Sequence, residues 1–186
     1  MSILSSKCEF GATATMTARA SVELQGMLRH SWVVECYDKY GKLKWREVFD
    51  NLVTTAGKNK YLDATLKTGL VSPLWYVGLV NNAGWTGYVA GDTMTSHGGW
   101  TECVAYSDIT RTRYLPGTIS GGSVNNSTNQ AVFNINSPAT IRGCFMVDDN
   151  TKGGTGGTLL GEGDFSTVRG VDSGDTINVR ITCSLT

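Results

Sequence analysis

Near its C-terminus this chain alternates apolar and polar residues by strict turns. Ile177, Val179, Ile181, Cys183 and Leu185 fall on one side, and Thr176, Asn178, Arg180 and Thr182 on the other. A period of two belongs to a strand with one face on a core and the other in water. The pattern also marks Trp32, Val34 and Cys36, which alternate with Val33, Glu35 and Tyr37. Asp38-Lys39-Tyr40-Gly41 then supplies turn residues, and Leu43 to Phe49 returns as a second strand, which together predict a hairpin. Gln130 to Asn136 sets Ala131, Phe133 and Ile135 on one face. Thr140 to Val147 sets Ile141, Phe145 and Val147 against Arg142, Cys144 and Met146. Leu74 to Val80 is a continuous apolar run suited to a buried strand, and shorter strands are predicted over Thr101–Tyr106 and Thr112–Leu115.

One helix interrupts this series. Thr54-Thr55 can cap it, Leu62 and Leu66 stand at i,i+4, and Gly69 and Pro73 end it. Many short strands between turns rich in Gly, Asn, Asp and Ser predict a mainly β fold. The expected form is an antiparallel β-sandwich or jelly roll with one short helix near 55–67 and an extended N-terminal arm. Residues 1–30 form the arm and 31–186 a single β-sandwich domain. In the arm Phe10, Met16, Leu24 and Met27 are apolar without a local partner, so the segment reads either as a disordered terminus or as an arm that orders only against a neighbouring molecule.

Charge narrows the function classes. The 186 residues carry 16 basic and 16 acidic side chains, a formal net charge of +0. That balance opposes a nucleic-acid partner bound through phosphate neutralisation. Charged residues are 17% of the chain and Gly numbers 23, a weakly charged, Gly-rich surface suited to assembly. No apolar stretch approaches the roughly 18–20 residues of a membrane span, and MSILSSKCEF lacks the pattern of a secretory signal, so no membrane partner is expected. The five cysteines form no CxxC pair and are expected as buried thiols.

Candidate chemistry is sparse. Thr55-Ala56-Gly57-Lys58-Asn59 lacks the spacing of a phosphate loop. Asp148-Asp149-Asn150 lacks the ligand alternation of a Ca²⁺ loop. His30 and His97 are far apart, and no GxSxG surrounds a serine. No catalytic residue, cofactor or metal is assigned. Glu162 and Asp164, two apart in what reads as a Gly-rich loop, are the carboxylates a glycan-cleaving enzyme would need. Trp85, Tyr88 and Trp100, in or beside the Gly-rich connection 84–99, are candidates either for a binding surface or for plugging one end of a sandwich.

Several of these strings share a resemblance. Gly91-Asp92-Thr93-Met94-Thr95-Ser96-His97-Gly98-Gly99-Trp100-Thr101-Glu102 is similar to the GDTM-SH-GWTE segment of a family of tailed-bacteriophage virion structural proteins. Asn51-Leu52-Val53-Thr54-Thr55-Ala56-Gly57-Lys58 resembles that family's helix start, and Tyr76-Val77-Gly78-Leu79 one of its strands. Ile141-Arg142-Gly143-Cys144-Phe145, Gly157-Thr158-Leu159 and Ser173-Gly174-Asp175-Thr176-Ile177-Asn178-Val179 resemble its later segments. The likeness runs from about Trp32 to the C-terminus. It implies a non-enzymatic protein made in the bacterial cytoplasm and carried on the capsid surface of the virion. Its partners would be the major capsid protein and itself, as homodimer or homotrimer. The role expected first is capsid decoration, a cement that clamps adjacent subunits. The alternative is a tail-fibre or host-recognition domain using the loop aromatics. The candidate interface therefore comprises Phe10, Met16, Leu24, Met27, Trp85, Tyr88 and Trp100.

Overall fold

The computed structural model describes residues 28–67 and 74–185. Cys8 and the arm residues Phe10, Met16, Leu24 and Met27 lie outside the described residues, as do Gly69 and Pro73. The elements run β1 (Arg29–Tyr37), β2 (Leu43–Asp50), β3 (Leu52–Val53), α1 (Thr55–Leu62) with a π-helical turn (Asp63–Lys67), β4 (Tyr76–Asn81), β5 (Thr101–Cys103), β6 (Thr112–Arg113), β7 (Ser123–Asn125), β8 (Ala131–Asn134), β9 (Ala139–Val147), β10 (Leu159–Val171) and β11 (Thr176–Ser184). All ladders are antiparallel. One sheet runs β2-β1-β11, with β7 and β8 side by side along the far edge of β11. The other runs β3-β10-β9-β4, with β5 and β6 sharing the far edge of β4.

The alternating residues build the core. Trp32, Val34 and Cys36 of β1, Ile177, Val179 and Ile181 of β11, and Ala131 and Phe133 of β8 meet Val77 and Leu79 of β4 and Ile141, Cys144 and Met146 of β9. This is a mainly β sandwich of two antiparallel sheets. The hairpin turn before β2 uses Gly41 at φ 81°, a backbone conformation that side-chain-bearing residues rarely adopt. The turn before β11 uses Gly174 at φ 94°. There Asp175 is buried, takes the Asp172 N–H at 2.8 Å and pairs with Lys44 at 2.6 Å, tying the β10–β11 turn to β2.

Three expectations are corrected. The segment around Glu162 and Asp164 is not a loop but part of β10, a 13-residue strand. Its glycines Gly161 and Gly163 disguise it. A side chain at either would collide with Asn51 or Phe49, so the corner between β2 and β3 can sit against β10 only where β10 is bare. Secondly, β9 does not keep one alternation. The β4–β9 register slips between Val80 and Asn81, leaving Arg142 as an extra residue, so Ile141 joins Cys144 and Met146 inside while Phe145 and Val147 face outward. Thirdly, Leu62 and Leu66 do not form a packing face: Leu62 is 56% and Leu66 80% exposed, and the one buried residue of α1 is Gly57. The helix is held by its start. The Thr54 hydroxyl accepts the Gly57 N–H at 3.0 Å and donates to the Leu159 carbonyl, while Gly57 lies against the Leu160 backbone.

Candidate functional site: the strap over the second sheet

The outer face of the β3-β10-β9-β4 sheet carries Val80, Phe145, Val147 and Leu159. Apolar side chains on both faces of a sheet demand a second cover. The connection between β4 and β5, residues 82–100, provides it. Its Met94 and Trp100 complete this second core, and Trp85 and Tyr88 pack against it. We call this segment the strap. Trp100 packs tilted on Phe145, ring centroids 4.9 Å apart, and receives the tilted His97 ring at 4.1 Å on its way out. Tyr88 meets Trp85 edge-on at 4.4 Å and Trp100 at 6.1 Å. Trp85 is covered in turn by the Arg142 guanidinium at 5.3 Å, which also pairs with Asp164 at 2.9 Å.

Backbone and polar ties fix the strap at several points. The Thr55 N–H bonds Ala90 O at 2.9 Å, joining it to the start of α1. Thr86 N–H bonds Gly99 O at 2.8 Å, closing the strap on itself. The Tyr88 hydroxyl donates to Gly163 O at 3.2 Å, reaching β10 through the space above Gly143, where a side chain would strike it. Burial pushes the Tyr88 phenol up. The His97 Nδ1–H reaches Thr93 O at 3.0 Å, and Asp92 accepts the Val89 N–H at 3.2 Å.

Beneath the strap lies a buried acid. A bulge near Leu160 puts Leu159 and Glu162 on the same outer side of β10, with Glu162 opposite Phe145. Glu162 is 0% exposed, and neither carboxyl oxygen completes a hydrogen bond. The polar groups that bear on it are Asp92, itself buried, and the Trp100 indole N–H, which also lacks a partner. Burial first, and then the neighbouring Asp92 charge, push the Glu162 carboxyl up to about 9. It is therefore neutral at pH 7.

Burying Trp100 and Met94 contributes roughly 1.5–3 kcal/mol each. An unsatisfied buried polar group costs about 1–3 kcal/mol, and more once charged. Ionising Glu162 would add to that cost.

The structure thus brings Trp85, Tyr88 and Trp100 together, in one inward-facing cluster. Trp100, 2% exposed, has no free face. Glu162 is sealed under the strap and Asp164 is engaged by Arg142, so the two do not flank an open cleft. Asp92 and Arg111 were missed from sequence. Arg111 is fully buried and pairs with Glu102 at 2.8 Å while donating to the Asp149 and Gly154 carbonyls, which pins the β9–β10 loop to the end of the strap. Nothing in the spacing of Glu102 and Arg111 marks them as partners; only the β5–β6 connection folding back brings them together.

Among the described residues no group of three His, Cys, Asp or Glu side chains could hold a metal ion. Cys36, Cys103, Cys144 and Cys183 are free thiols. Burial pushes Cys36 up to about 12 and Cys183 up to about 11. Among the described residues no helix is long and apolar enough to cross a membrane. No family model matches the chain, and no curated protein matches it.

Proposed function

We propose that this chain is a non-enzymatic structural protein of a tailed-phage virion, a head decoration that clamps adjacent major-capsid subunits. One observation carries the reading. In the segment that resembles the phage family, Gly91–Glu102, the buried residues have architectural duties: Asp92, Met94 and Trp100 are buried beneath or within the strap, and Glu102 holds Arg111. Gly57, Gly78, Gly143 and Asp175, from the other resembling strings, likewise allow close packing or close a turn. A chain whose motif residues build its own shell suits a protein selected for rigidity and attachment.

Attachment would use what the fold leaves outside. Among the described residues no segment like the strap covers the outer face of the β2-β1-β11 sheet, and Ile109, Ile119 and Tyr40 project from the loops. Binding the assembled shell but not loose subunits stabilises the shell by mass action. Self-association as dimer or trimer would match the symmetry of the lattice it decorates.

Location and copy number test the proposal. Quantitative gels of purified virions and antibody labelling should place the protein on the head in fixed proportion to the major capsid protein. A handful of copies at the tail, with host-cell adsorption lost in Trp85→Ala, would instead favour host recognition.

A further inference from the structure

We propose that the proton on buried Glu162 is the latch of the strap, and that removing it releases residues 82–100 from the outer face of the second sheet. The proposal is independent of any role in a virion.

The geometry is that of an unpartnered acid in a dry place under an irregular segment, with a second acid from that segment bearing on it. Glu162 comes from β10 and Asp92 from the strap, and both are buried. A carboxyl that is 0% exposed with neither oxygen hydrogen-bonded favours its neutral form, and a neighbouring carboxylate strengthens that preference. A proton suits this site better than a cation. The Trp100 N–H bears on Glu162 and would repel a metal ion. Two carboxyl groups also fall far short of the roughly six to eight oxygens Ca²⁺ takes.

The remaining groups around the pair do not replace that proton. Tyr88 is engaged with Gly163 O. Arg142, from β9, lies over Trp85 and is held by Asp164 of β10. His97 stacks on Trp100 and is tied to Thr93 O. Among the described residues no cation is paired with Glu162, so an ionised Glu162 would face Asp92 with the unpartnered Trp100 N–H bearing on it. The loop element gives way first. The strap has no regular secondary structure between β4 and β5 beyond a bridge from Thr93 to Ser96, whereas Glu162 is fixed by ladders to β9 and β3. Asp92 and Trp100 would therefore leave together, exposing Phe145, Val147 and Leu159.

Trp100 is the natural reporter. Acrylamide quenching of the full chain, followed from pH 7 to 10, should show a several-fold rise in the Trp100 component, with a midpoint near 9. Trp100→Phe assigns that component by difference. In Glu162→Gln, which stays neutral with nearly the same shape, the rise should vanish. In Asp92→Asn the midpoint should move to lower pH, because the charge that helps hold the proton on Glu162 is gone; this variant decides the matter if Glu162→Gln does not fold. Trp100 quenching that stays flat to pH 10 in the wild type, or a transition unchanged in Glu162→Gln or Asp92→Asn, overturns the proposal.

Discussion

Gly57 shows how one absent side chain can position an element. The helix start can lie on β10 only because nothing projects at this position; a Cβ would run into the Leu160 carbonyl oxygen, a backbone atom held in the sheet. Gly57→Ala should therefore lower stability by about 1–3 kcal/mol in urea unfolding, despite alanine's better helix propensity. Gly91 in the strap has open space where its Cβ would be, and Gly91→Ala should change the midpoint little. Both glycines stand in strings that resemble the phage family, and the sequence does not separate them. The difference lies in what approaches from β10, a strand whose own glycines hide its period. Burial of Glu162 was hidden for the same reason: the extra residue near Leu160 turns the acid to the outer face, and a bulge leaves no mark in a hydrophobic pattern.

The strands and the strap differ in how much of them could be read in advance. β1, β2, β8 and β11 were legible because one face of each is buried and the period of two survives intact. The strap has no period, and its aromatics could equally have faced outward. What turns them inward is the apolar outer face of β9 and β10, together with anchors distant in sequence. The buried Arg111 is the anchor at the strap's C-terminal end. Arg111→Met removes the cation but leaves Glu102 buried and the Asp149 and Gly154 carbonyls without their donor. Breaking a buried pair on one side costs about 3–5 kcal/mol. Urea unfolding should show a loss of that size, and hydrogen exchange should rise first in the 149–154 loop and in β5. A loss below about 1 kcal/mol would mean the pair behaves like an exposed one.

The whole molecule should carry two opposed proton linkages. His30, buried between Asn51 and Tyr61, is pushed down to about 4 by burial. Folded, it binds fewer protons than unfolded between its pKa of about 4 and the ordinary 6.5, so stability falls as pH drops through that window. Glu162 does the reverse: it binds more protons folded than unfolded between the ordinary 4.5 and about 9, so stability falls as pH rises through that window. Between about 4.5 and 6.5 the slopes oppose each other. The urea midpoint should therefore be broadly maximal there and decline on both sides. Glu162→Gln should flatten the alkaline limb and, with the opposing slope gone, start the acid limb at about 6.5. A wild-type maximum near pH 9 would contradict the Glu162 assignment, and a midpoint that does not fall below pH 4.5 would contradict that of His30.

A rigid sandwich with a latched strap and no open acid pair fits a part made to be attached. Attachment is also the claim most directly measured. Purified full-length protein, added to heads that lack it, should bind to saturation and raise the melting temperature of the shell, while leaving unassembled major capsid protein unbound. Deleting residues 2–28 should lower the occupancy, since the arm is the segment expected to grip a neighbour. Heads that take up none of the protein, or that melt at the same temperature when fully occupied, would contradict the account.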